Sequence, residues 1–180
     1  FIMVGMGLKV AIFPLHLWLP NAYTYAPSAI TSFLAATATK VAIYVMLRFL
    51  FSVFQPGFLA EVPTLDLVLY PFAILAMFAA SYTAILQRDL KRMLAYSSIG
   101  QVGYMLLGIA LLSESGLMAT MIHLFNHGIT KAALFMGVGV YVLNGGGSFY
   151  HNLRGRGKTM PWTSAAMVVA GLSLIGVPGT

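Results

Sequence analysis

From Ser28 to Phe54 the chain carries only two charged side chains, Lys40 and Arg48, and neither proline nor glycine. A helix of about 20 apolar residues crosses a bilayer, and this run exceeds that length. Comparable runs cover about Leu65 to Leu86, Leu94 to Leu112, Leu117 to Leu143, and Pro161 to Val177, preceded by an interrupted one from Phe1 to Leu19. With 59% hydrophobic residues, 8% charged ones and a mean hydropathy of +0.88, the composition excludes an ordinary soluble domain. The runs are long and do not alternate, which argues for helices over a closed barrel. The expectation is an all-α integral membrane protein of about six transmembrane helices, with residues 1–180 forming a single membrane domain.

Pro14 and Pro20 interrupt the first segment, and Pro178 with Gly179 follows the last. The first and last spans are therefore expected to be discontinuous. Pro56, Gly57, Glu61 and Pro63 mark the connection after the second segment, and Asn144, Gly145, Gly146 and Gly147 end the fifth. Arg88, Lys91 and Arg92 fall in one connection, 87–93, and Arg154, Arg156 and Lys158 in another, 144–161. Two helices separate these connections, so both face one side, predicted to be the cytoplasm. Glu61, Asp66 and Glu114 lie on the opposite face, with Arg48 as its basic residue. The net charge of +6 thus follows membrane topology and does not indicate nucleic acid as a partner. Cysteine is absent, so this chain alone offers no disulfide, iron–sulfur or thiolate–metal site. It opens without methionine inside an apolar run, shows no signal peptide and stops just after another run, and so reads as an internal part of a longer subunit.

Lys9, Lys40 and Lys131 sit within these apolar stretches. An ammonium at mid-membrane costs about 2.5–3.5 kcal/mol, so three cost roughly 10 kcal/mol before partners offset them. A buried lysine can also release its proton, which makes it a candidate reversible proton site. His123, His127 and Lys131 follow one another at intervals of four and form one stripe on a helix. Such a stripe can pass protons directly or through water; the plainer alternative is hydrogen bonding to neighbouring helices. Two histidines four apart can also share zinc, but His-Leu-Phe-Asn-His has no glutamate after the first histidine and no evident third ligand. Lys40 is about a dozen residues from either end of its segment, some 18 Å, beyond the reach of a snorkelling stem. Thr37 and Tyr44 share its expected face, and Ala35, Ala36 and Ala38 allow close packing around it. Lys9 precedes the Pro14 break, where freed backbone groups call for water or protein, and His16 lies close to the same face if the helix persists. Aromatic residues and methionines form no cofactor box, and Gly100, Gly103 and Gly108 form no phosphate loop.

The string LKVAIFPLHLWLPNAYTYAPSAITSFLAATATKVAIYVMLRF resembles the centre of the antiporter-like membrane subunits of respiratory complex I. That family also includes the large subunits of Mrp-type cation/proton antiporters and of membrane-bound hydrogenases. RDLKRMLAYSSIGQVGYMLLGIAL, MIHLFNHGITKAALFMGVG and MPWTSAAMVVAGLSLIGVPGT match in the same order. The resemblance spans essentially the whole chain and implies that it corresponds to the seventh to twelfth helices of a subunit with about fourteen. It implies that Lys9 matches the lysine of a broken seventh helix, which is modulated by a glutamate on an earlier helix. Lys40 would match the connecting lysine of the eighth, and His123, His127 and Lys131 the relay stripe of the eleventh. Pro178 resembles a break in the twelfth, beyond which the family keeps a lysine or glutamate at the exit. The early glutamate and the exit residue are outside this sequence. Asn21 and Tyr23 stand where the family often has an acidic residue and a histidine. The implied activity is proton translocation in the cell (inner) membrane by a subunit of a proton-pumping NADH-quinone oxidoreductase or an antiporter. Its implied partners are other membrane subunits, the lipid bilayer and protons, with sodium as the other candidate ion. No redox chemistry and no quinone, flavin or nicotinamide site is recognisable in the chain. The competing expectation is a non-conducting structural subunit whose buried lysines serve helix pairing and assembly.

Overall fold

The computed structural model describes residues 1–54, 64–145 and 147–177. Nine α-helices follow one another among these residues: α1 (Ile2–Val10), α2 (Trp18–Tyr25), α3 (Ser28–Arg48), α4 (Thr64–Ile85), α5 (Leu90–Ala110), α6 (Glu114–Gly145), α7 (Tyr150–Leu153), α8 (Arg156–Thr159) and α9 (Pro161–Ile175). A π-helical turn, Phe49–Val53, extends α3. No β-strand occurs among the described residues; an isolated bridge pairs Asp89 with Phe149. By length and composition, four helices can cross a membrane: α3 with its π-turn, α4, α5 and α6, while α9 is apolar but shorter. This is the all-α membrane architecture expected from the apolar runs. Pro56, Gly57, Glu61, Pro63, Gly146 and Pro178 lie outside the described residues, and with Pro178 the expected break of the last span.

The first segment is discontinuous as expected, although Pro20 does not cause it. α1 ends at Ala11, whose φ of 63° places it in the left-handed region, and the Ile12 amide closes the turn onto the Gly7 carbonyl at 2.9 Å. Pro14 lies in the break, while Pro20 is the third residue of α2. There its missing N–H removes no intrahelical bond, because the first four amides of a helix have no partner within it. The Trp18 indole donates to the Leu8 carbonyl at 2.9 Å across the break.

α5 is the central helix: α4, α6 and α2 all pack on it. Leu94, Ile99, Leu134 and Phe135 belong to one buried cluster, and Val102, Leu106, Ile109, Ile43 and Met46 to another, so α5 contributes to both. Between membrane helices small residues permit the close approach that packing requires. A Cβ at Gly103 would lie 2.9 Å from the Ala73 carbonyl oxygen of α4, which leaves room for glycine only.

α5 begins at Leu90, four residues before the expected start. Asp89 is its N-cap, accepting from the Arg92 amide at 3.0 Å, and its carboxylate also accepts from the Ser148 hydroxyl. Lys91, expected in a solvated connection, is buried and donates to the Ala26 carbonyl at 3.1 Å, at the C-terminal end of α2. The same carbonyl also accepts from the Thr31 hydroxyl at 3.1 Å, and a cation there complements the helix dipole.

Candidate functional site

α3 and α6 pack side by side, and their contact brings Lys40 against Gly128. A Cβ at Gly128 would stand 3.3 Å from the Ala36 carbonyl oxygen and 4.0 Å from both Cγ and Cε of Lys40. A small residue at that position leaves room for the lysine stem between the helices; a larger side chain would not. Lys40 is 5% exposed, and its ammonium donates to the carbonyl of Ala35 on its own helix. Tyr44, placed by spacing on the same face, is 47% exposed, so the lysine is covered by α6 and not by a stripe running along α3.

His127 immediately precedes Gly128 and is 2% exposed. Its ring lies parallel to that of His123, with centroids 5.8 Å apart and planes 3° from each other. His123 is half-buried. Neither nitrogen of His127, nor Nε2 of His123, has a hydrogen-bond partner, although all three are buried. A buried ring nitrogen without a protein partner costs free energy unless water or a mobile proton satisfies it.

Both histidines border a cavity of about 1180 Å³ between α5, α6 and α9, where Gln101, Asn126, Thr130 and Ser173 also supply polar groups. Lys40 does not line this cavity; it packs on α6 at Gly128. His127 thus borders this largely apolar cavity and immediately precedes the residue against which Lys40 packs.

Lys131 is fully buried. Its ammonium donates to the Leu94 carbonyl at 2.9 Å and to the Ser97 hydroxyl, both on α5. Ser97 did not stand out in the sequence; its signal was the Ser97–Ser98 pair in an otherwise apolar helix.

Lys9 occupies the last turn of α1 and is exposed, and its side chain joins no hydrogen bond among the described residues. His16 lies beyond the end of α1 and shares no helical face with it. It is buried, stacked on Phe13 at 5.3 Å and edge-on to Tyr96 at 6.5 Å, with Nδ1 unpartnered. The fold thus gathers Lys40, His123, His127 and Lys131 around α6 and leaves Lys9 apart. Among the described residues no three His, Asp or Glu side chains converge as a metal site would require.

The comparisons with known proteins agree with this arrangement of helices. A family described as NADH:quinone oxidoreductase/Mrp antiporter, transmembrane region, matches residues 1–180. NADH-quinone oxidoreductase subunit N of Desulforudis audaxviator is 42% identical over 180 residues, covering 100% of this chain and 36% of that protein. A Na(+)/H(+) antiporter subunit of Alkalihalophilus pseudofirmus is 35% identical over 178 residues, covering 98% of this chain and 35% of that protein. Among solved structures, a chain of the membrane-bound sulfane sulfur reductase, an archaeal respiratory membrane complex, superposes with a TM-score of 0.88 at 37% identity, covering 98% of this chain and 36% of the other. The chain spans about a third of the length of these relatives. With the match running from the first residue to the last and the same helices recurring in solved relatives, this chain belongs to the NADH:quinone oxidoreductase/Mrp antiporter membrane family.

Proposed function

We propose that the chain is the central part of a proton-translocating membrane subunit, in which Lys9, Lys40 and the His123, His127 and Lys131 stripe act as successive proton sites along a lateral axis near mid-membrane. One observation carries the reading: Lys131, one helical turn after His127, and Lys40, packed against the adjacent Gly128, are both buried, while the ring nitrogens of His127 have no protein partner. Unit positive charges this close and this poorly solvated repel strongly, so protonating one site favours release from the next. The proton affinities then belong to the coupled set and not to single residues. His123 and His127, too far apart for a direct hydrogen bond through their stacked faces, would exchange a proton through water in the adjoining cavity. Lys9 would enter the path through groups on helices outside this sequence.

The parent assembly is read as a complex I-like NADH-quinone oxidoreductase in the cell membrane, in line with the identity to a subunit N; an Mrp-type antiporter is the alternative. Other membrane subunits would be its partners and would supply the driving reaction. Connections 87–93 and 144–161 would face the cytoplasm.

A structural role for Lys131 has its own support, because that ammonium ties α6 to α5. Lys40 is different: its bond is to its own helix, so pairing of helices does not account for its charge. The test is proton pumping in membrane vesicles by Lys40→Ala in the full-length subunit, normalised to assembled complex. The relay predicts loss of pumping at normal assembly. Parental pumping per complex would overturn it in favour of the structural reading.

A further inference from the structure

The connection before α5 and the one after α6 form a single surface. The Tyr150 amide donates to the Arg88 carbonyl at 3.2 Å, the Leu90 amide to the Ser148 carbonyl at 2.9 Å, and the Ser148 hydroxyl to Asp89. This pairing brings Arg88 to the segment that carries Arg154, Arg156 and Lys158. The acid on this surface, Asp89, is buried and engaged by the Arg92 amide and the Ser148 hydroxyl. Arg156 is occupied by the Asn144 carbonyl at 2.6 Å. Arg88, Arg154 and Lys158 are exposed, and among the described residues their charged groups have no hydrogen-bond partner. Trp162 is 88% exposed, and Phe149 and Tyr150 are also exposed.

A surface rich in unpaired cations with exposed aromatic rings beside it has the composition of a segment lying at the headgroup boundary. Its place in the fold agrees: it is where α5 starts, α6 ends and α9 starts, the level at which spanning helices leave the hydrocarbon. An acidic protein partner would use the cations but would gain little from rings that suit the boundary between water and acyl chains. We propose that this surface binds the phosphate of anionic phospholipids, with Arg88, Arg154 and Lys158 as its ligands and Trp162, Phe149 and Tyr150 seated among the headgroups. The proposal does not depend on the proton relay, and its test involves no turnover.

The assembled complex carrying the full-length subunit would be reconstituted into phosphatidylcholine vesicles containing a minority of phosphatidylglycerol. Retained lipid would then be counted by mass spectrometry after mild re-extraction. R88Q/R154Q/K158Q should lower the enrichment of phosphatidylglycerol over phosphatidylcholine on the order of 10-fold or more, while R88K/R154K/K158R should keep it. Equal enrichment in the parent and the neutral variant would overturn the proposal, as would equal loss in the charge-retaining one. Carbodiimide cross-linking of Lys158 to an acidic residue of another subunit in the parental complex would also overturn it, because a protein would then cover this face. If the neutral variant does not assemble, salt titration of the parent decides: enrichment that falls with ionic strength supports the site, and enrichment that does not change refutes it.

Discussion

A methyl group at Gly128 would meet the Ala36 carbonyl oxygen at 3.3 Å, tight but within reach of a small adjustment. Alanine also gains about 1 kcal/mol of helix propensity over glycine. Gly128→Ala is therefore expected to stay within about 1 kcal/mol of the parent. Gly128→Leu has to displace either α3 or the Lys40 stem and should cost about 1–3 kcal/mol, seen as a lower melting temperature of the purified complex. An unchanged melting temperature for the leucine variant would mean that the two helices are not this close. Lys131 and Ser97 form a second residue-level test. In a double-mutant cycle, Lys131→Met and Ser97→Ala should couple by about 1–2 kcal/mol, the scale of interhelical hydrogen bonds in membranes. Additive effects would show that the ammonium does not rest on that hydroxyl.

At the scale of elements, α5 depends on Asp89, which caps it and also fastens the segment after α6 through Ser148. Asp89→Ala should destabilise the protein by about 1–2 kcal/mol and speed proteolysis between residues 147 and 160; Asp89→Asn, which keeps a capping oxygen, should do less. Equal digestion rates for parent and Asp89→Ala would count against the staple. The start of this helix was not legible from charge density, since Arg-Asp-Leu-Lys-Arg reads as a solvated connection. In the fold, Asp89 turns back to the helix amides and Lys91 reaches the end of α2. The spans themselves were legible, because length and apolarity alone define them, and so was the His123–His127 stripe, which needs only the helical repeat. Gly128 and Ser97 were not, because membrane helices are apolar on all sides and their periodicity does not say which face meets which neighbour. Tyr44 illustrates the same limit: one turn from Lys40, it points outward.

Across the whole molecule, α5 is mostly enclosed while α4 turns Leu67, Phe78 and Ile85 outward, each more than 70% exposed. In a bilayer such a face meets lipid or another apolar helix at little cost, which is why composition identifies the environment and says little about neighbours. α6, with 32 residues, is about 48 Å long, and so its ends must project beyond a hydrocarbon core of about 30 Å. The interrupted first span has a mechanical meaning. α1 is seated on α3 and α2 chiefly on α5, so the two halves of one column are bolted to different walls. If the distance between those walls changes, the stretch from Ala11 to Leu17 takes up the difference, and His16 rides in that joint.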